Sequence, residues 1–235
     1  GFRLFTGAHG AVVLELRNIV WKDDYLLGVD RAAAEARRAV DIEEATDLFA
    51  YPDRFPAEWK AFRTNLVSEM VKETYDSIQS VKPGMVMSAA VWGVYNDKWA
   101  WHTLAGATNL MQDSRAWAKG GYMDVLVPMT YYRIGPSYCS RIDWKCTLDE
   151  QLQGAEKETG RQMYIGIDAS KGATEVLKQV RLARERGVTG VAIFSFTDAD
   201  NARLWAPLTA DLFAQPAEVP GKDIFRFTRS RTSEP

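Results

Sequence analysis

The chain has 235 residues, a length that suits one large α/β domain better than two small ones. With 46% hydrophobic and 26% charged residues its composition is that of an ordinary globular protein, and a net charge of −2 gives no electrostatic case for nucleic acid or an anionic membrane. No apolar run approaches the roughly 18 residues needed to cross a bilayer, so no transmembrane segment is expected.

The first residues, GFRLFTGAHG, have neither the basic start nor the long apolar centre of a signal peptide. A removed leader and a longer parent chain both remain open, and the compartment with them. Five short runs then read as strands: AVVLELRNIVW (11–21), MVMSAAVW (85–92), MDVLVPMTY (123–131), QMYIGID (162–168) and GVAIFSF (190–196). Several are apolar at alternating positions on both faces, the pattern of parallel strands covered on both sides.

Helices are expected between these runs. Residues 29–45, rich in alanine, arginine and glutamate, read as a helix in a long insertion. Over 57–81, Trp59, Phe62, Leu66, Met70 and Ile78 recur near helical spacing, and Pro83-Gly84 is a fitting terminator. Near 172–186 a further helix should turn Val176, Leu177, Val180 and Ala183 inward and end at Gly187. Strands alternating with helices imply βα units and one parallel sheet. Cys139 and Cys146 flank SRIDWK; a loop disulfide and two free thiols are both compatible with that spacing, and no neighbouring ligands suit a metal.

Polar and aromatic residues gather where the strands end. After the first run come Asp23, Asp24 and Tyr25; after the second, WGVYNDKWAWH; the third ends in Tyr131-Tyr132, the fourth in Asp168 and the fifth in FTDAD. In a (β/α) barrel all carboxyl ends open onto one face, whereas a doubly wound sheet collects only some of them at its switch point. No Gly-rich phosphate loop follows any strand, which weighs against a nucleotide-binding sheet. The expected fold class is therefore α/β of the (β/α)8 TIM-barrel type. It is incomplete: about five βα units are visible, where a closed barrel of this kind has eight.

The segments VWKDDYLLG (20–28), EWKAFRTNLV (58–67), SAAVWGVY (88–95), QDSRAWAKGGYMDVLVPMTYY (112–132) and GVAIFSF (190–196) follow one another in an order that resembles the glycosyl hydrolase-like 10 family. These are bacterial (β/α)8-barrel proteins related to glycoside hydrolases. The most specific portion is 112–132, where the family's aspartate, tryptophan, Gly-x-Ile-Asp and Pro-Gln-x-Tyr-Trp features find counterparts in order. Trp21 stands where the family has a histidine, Met129 where it has a glutamine, and the proline and phenylalanine of the second strand are absent. A second register would match the family's aspartate to Glu15. The resemblance implies a partial barrel of the glycoside hydrolase type over 1–213, with 214–235 as a tail or linker, in a secreted or cell-envelope bacterial protein.

Glycoside hydrolysis needs two carboxyl groups flanking the scissile bond, one donating a proton and one acting as nucleophile or activating water. The candidates are Asp23, Asp24, Asp168 and Asp198. Each also has an ordinary explanation: a solvated turn for the first two, a helix or turn cap for the others. Trp92, Trp99, Asp113, Tyr131, Tyr132 and Phe196 are expected to line the substrate site, because flat rings cover the C–H faces of sugars while polar groups bond their edges. Asp113 could equally cap SRAWAK, and Asp124, at the start of its strand, reads as structural. Strand alternation should send one of Tyr131 and Tyr132 into the barrel mouth and the other towards the helices. With only His9 and His102 in the chain, a histidine-rich zinc site is not expected. No metal or cofactor is called for, and the partner is a carbohydrate. A catalytically silent carbohydrate-binding barrel and a truncated, non-functional fragment are the competing readings.

Overall fold

A computed structural model describes residues 3–6, 12–15 and 51–215, and the chain divides into two compact units, Gly1–Arg63 and Thr64–Pro235. In the first unit, β1 (Arg3–Thr6) pairs antiparallel with β2 (Val12–Glu15), from Arg3 opposite Glu15 to Thr6 opposite Val12. The run at 11–21 was expected to open the parallel sheet. Its described part instead forms this separate ribbon. The physical reason is proximity: an antiparallel partner needs only a short connection, while a parallel one needs a crossover of a dozen residues or more. The rest of that run and the helix expected over 29–45 lie outside the described residues.

Two helices follow, α1 (Tyr51–Arg54) and α2 (Pro56–Val81), the second within a residue of expectation. Proline at its first position loses no hydrogen bond, since that amide has no intrahelical acceptor. The Trp59 and Phe62 rings stack with centroids 5.6 Å apart. The Gln79 side chain closes the far end, accepting from Gly84 N (2.9 Å) and donating to Met85 O (2.7 Å), with Gly84 at φ +80°.

The second unit is built on four parallel strands in sequential order: β3 (Ser88–Trp92), β4 (Val125–Met129), β5 (Gln162–Asp168) and β6 (Gly190–Phe194). Between β3 and β4 lie α3 (Gly106–Asn109) and α4 (Ser114–Lys119). Between β4 and β5 lies α5 (Trp144–Gln151), which continues in wider turns over Leu152–Lys157. The helix α6 (Ala173–Glu185) joins β5 to β6. It buries Val176, Val180 and Ala183 and half-buries Leu177, as its periodicity predicts. It ends in paired bonds from Gly187 N to Arg184 O (2.9 Å) and Val188 N to Ala183 O (3.0 Å), with Gly187 at φ +77°. Last come α7 (Phe196–Asn201) and α8 (Trp205–Pro207).

One sheet face is dry. Val91, Leu126, Met163, Ile165 and Ile167 pack in a single cluster with Trp117, Trp144, Leu148, Val176 and Val180. The alternate positions differ: Ser88, Ala90 and Phe194 are exposed, and Val127, Met129, Tyr164 and Ala192 are half-buried. Burial on both faces was expected; the helix side is the better covered, with Ala89, Val191 and Ile193 half-buried at its edges, while Val125 and Gln162 are the buried side chains of the other face. At Gly166 on that face the neighbouring backbone comes close: a Cβ there would lie 2.5 Å from Pro128 O. In a closed barrel that face is the interior.

The lower end of the sheet is held by Asp124, whose carboxylate accepts from Met87 N (2.9 Å) and Tyr75 Oη (3.3 Å) and pairs with Arg161 (3.3 Å). Cys139 and Cys146 form a disulfide, with Cα atoms 5.5 Å apart.

Candidate functional site

All four parallel strands deliver their carboxyl ends to one side. The end of β3 is fixed by side chains from further along the chain. Trp92 N donates to Gln112 Oε1 (2.9 Å), its indole N–H donates to Leu104 O (2.7 Å), and Gln151 Nε2 of α5 donates to Gly93 O (2.9 Å). A side chain at 93 would strike Met129 O at 2.4 Å, so only glycine lets β3 leave the sheet beside β4.

Beyond it, Tyr95 donates to Asp113 Oδ1 (2.7 Å) and lies under the Arg115 guanidinium, 4.0 Å from its carbon to the ring centroid. Arg115 in turn pairs with the buried Glu150. Burial, then the bond to Asp113 and its charge, hold the Tyr95 phenol well above the usual range. Asp113 also caps α4, accepting from Ala116 N (3.2 Å).

At the end of β4, Thr130 Oγ1 donates to Gly166 O (2.7 Å) and locks the two central strands together. The tyrosine pair then divides as alternation requires. Tyr132 packs against the apolar core, while Tyr131 stacks on Phe194 of β6 with ring centroids 5.5 Å apart and planes 16° off parallel. Burial raises both phenols, and for Tyr131 the charge of Asp168 adds to it.

Asp168 ends β5 directly opposite Phe194 in register. It accepts from Ser170 N (2.8 Å) and pairs with Lys171 (2.9 Å). Burial works against its charge, but the bonds to Ser170 and Lys171 outweigh it and hold the carboxyl below its ordinary value. Tyr131, Asp168 and Phe194 thus form a ring pair with an ionised carboxylate at three adjacent strand ends. This placement has a measurable consequence. A depressed folded-state pKa contributes stability that is present above the unfolded value of about 3.9 and disappears as pH falls through the folded one. Asp168→Asn should therefore be less stable than the parent at pH 7, and in urea titrations the gap should narrow as pH falls below the unfolded value and through the folded one.

Beyond β6, Ser195 and Asp198 form a reciprocal cap, Ser195 Oγ donating to Asp198 Oδ2 (2.7 Å) and accepting from Asp198 N (3.3 Å). The Phe194–Ser195 peptide is cis. Phe196 is 73% exposed, with its ring 5.2 Å from that of Trp205. Trp99 sits in the loop after β3, stacked on Trp101 at 4.3 Å with the Lys98 ammonium 4.8 Å from its ring centroid. Asp23 and Asp24 lie outside the described residues.

Phe194 was missed in the sequence. It shares strand parity with Phe196, and only the point where β6 stops decides which ring stays on the sheet face. Asp97 was also missed, although an aspartate just ahead of a tryptophan-rich loop is a turn-former's signature. Among the described residues there is no cluster of three or more histidine, cysteine or acidic side chains that could hold a metal, and no helix long and apolar enough to cross a membrane.

The family model described as Glycosyl hydrolase-like 10 matches residues 19–181, well over half of the chain. The chain belongs to the glycosyl hydrolase-like 10 family. The matched stretch carries Trp92, Asp113, Tyr131, Tyr132 and Asp168 and stops before β6. Among its relatives is Glycosyl hydrolase YngK of Bacillus subtilis (strain 168), 27% identical over 225 residues, covering 86% of this chain and 41% of that protein. The chain therefore spans about two fifths of that relative's length. The four-stranded parallel sheet agrees with the (β/α)8 type of the glycosyl hydrolase-like 10 family, of which it forms part of the barrel wall. Membership relates the chain to glycoside hydrolases.

Proposed function

We propose that this protein is a glycoside hydrolase acting on a polysaccharide or cell-envelope glycan by carboxylate acid/base catalysis. The observation that carries the reading is the ionised Asp168 beside the stacked Tyr131 and Phe194 rings at adjacent strand ends. A carboxyl held below its ordinary pKa suits a nucleophile or a water-activating base; a proton donor needs the opposite shift. Asp23, Asp24 and Asp198 are the candidates for the donor. Of these, Asp198 already accepts the Ser195 hydroxyl. Trp92, Phe196 and the exposed face of Tyr131 would contact the apolar sides of the sugar rings, with Trp99, Asp113 and Tyr132 shaping the walls. The disulfide fits a secreted or cell-envelope protein, since such bonds persist in oxidising compartments.

A specific observation favours the silent carbohydrate-binding barrel as second reading: both oxygens of Asp168 are engaged, one with Ser170 and one with Lys171. Two measurements separate the readings. Release of new reducing ends from oligosaccharides of bacterial, fungal and plant walls, lost in Asp168→Asn, supports the hydrolase; binding without release supports the silent binder. Tyr131→Ala should weaken oligosaccharide binding by about 1–3 kcal/mol, the worth of a buried aromatic surface. Unchanged affinity in that variant would remove the ring pair from the site.

A further inference from the structure

The loop after β3 is organised without help from the apolar core. Neither Trp99 nor Trp101 belongs to the core cluster or packs on it. Asp97 gathers the loop instead, accepting from Trp101 N (3.0 Å) and Thr103 N (3.3 Å), while Ala100 and His102 take left-handed φ values of 56° and 54°. Its carboxyl lies below the ordinary value: a small burial cost is outweighed by backbone amides, those of Trp101 and Thr103 foremost. These bonds define the loop's shape, but they are all internal and leave its position open. The base of the loop is fixed at Gly93 and Leu104, and its tryptophan tip is tied outward by Trp101 Nε1–H donating to Cys139 O (3.0 Å).

Cys139 is in the loop after β4, and its sulfur is tied to Cys146 in α5, where Cys146 is only 1% exposed. Tyr138 adds a bond from its hydroxyl to Asp149 of the same helix (2.7 Å), and Asp149 is held by Arg186 (2.7 Å). The result is a continuous chain of fixed groups: buried helix, disulfide, Cys139 carbonyl, Trp101 indole, stacked Trp99. Both loops follow carboxyl ends of neighbouring strands, so the tryptophan pair stands at the rim of the face that carries Tyr131 and Asp168.

We infer that the Cys139–Cys146 disulfide is a positioning element for glycan binding, acting through the Trp101–Cys139 hydrogen bond to hold the Trp99–Trp101 pair at that rim. The inference rests on the carbohydrate reading above. Removing the disulfide leaves the Tyr138–Asp149 bond as the tie between this segment and α5, so the Cys139 carbonyl becomes a less fixed acceptor for the indole. The sheet and its core keep their own packing, so the effect falls on binding.

Three proteins decide the matter: the parent, Cys139→Ser/Cys146→Ser and Trp101→Phe, which keeps a ring for the stack but has no N–H to donate. Indole N–H signals in a ¹H–¹⁵N spectrum report the bond, the Trp101 signal being the one absent from Trp101→Phe. In the double cysteine variant that signal should shift and exchange faster with solvent, while those of the core residues Trp117 and Trp144 stay in place. On an array of soluble wall oligosaccharides, both variants should bind the parent's tightest ligand on the order of fivefold more weakly, the change a lost hydrogen bond produces. An unmoved Trp101 signal, or unchanged affinity in both variants beside a parent that binds, overturns the inference alone. A parent that binds no oligosaccharide overturns the carbohydrate reading itself. Should the double cysteine variant fail to fold, Trp101→Phe carries the affinity comparison.

Discussion

Replacing Asp124 by alanine is expected to destabilise the protein by about 3–5 kcal/mol, the range for removing one partner of a buried ion pair. Asp124 and Arg161 are 3% and 8% exposed, and the carboxylate also receives the Met87 amide and the Tyr75 hydroxyl. One side chain therefore joins α2, the entry to β3 and the starts of β4 and β5. Burial nevertheless dominates its ionisation and raises the carboxyl above its ordinary value, against the opposing pull of Met87, Arg161 and Tyr75. Asp124→Asn, neutral and of the same size, should accordingly lose less than alanine does. The sign of the pH effect is opposite to that at Asp168. A raised folded-state pKa contributes stability at low pH that is lost as pH rises through the folded value. Urea denaturation of both variants between pH 3 and 8 checks the order and the sign; equal losses for alanine and asparagine would show that the charge itself carries the stability.

Expressed alone, the 235-residue chain should self-associate. Among the described residues, β3 and β6 each have a single strand partner, and such edges offer unpaired amides and carbonyls to other molecules. The face opposite the helices exposes Ala90 and leaves Phe194 58% accessible, adding apolar surface beside those edges. Size-exclusion chromatography should show dimers or larger species whose share grows with concentration. A monomer with a sharp thermal transition above about 60 °C, beyond most mesophilic domains, would place covering elements within this chain.

The four parallel strands and the helices α2 and α6 were legible from apolar period, although burial follows it unevenly. The helix α6 buries Val176, Val180 and Ala183, while α2 buries only Val71 and leaves Trp59, Phe62, Leu66, Met70 and Ile78 half-buried. For α6 even the terminator could be read, since Gly187 supplies the left-handed turn that closes it. β2 was legible as a strand but not in its pairing. An apolar run states that it needs a neighbour, not which one, and loop length decides between a nearby antiparallel partner and a distant parallel one. The division of labour between Tyr131 and Tyr132 followed from alternation alone. The stacking of Tyr131 on Phe194 did not, because it joins strands separated in sequence by α5, β5 and α6. Likewise, spacing left the cysteines undecided between thiols and a bridge, and only the fold of the loop after β4 brings them to bonding distance.

The family match ends at residue 181, before Phe194, which stacks on Tyr131, and before the Phe196–Trp205 ring pair. Tyr131 and Asp168 lie in the shared stretch; those three rings do not. Diversification can therefore proceed by exchanging side chains on the segment after α6 while the carboxylate and its supports keep their geometry. Under the proposed function, each such exchange would alter the contour offered to the sugar without touching the Ser170 and Lys171 contacts of Asp168. The contour offered to a glycan and the charge of the carboxylate would thus be set on separate segments of the chain.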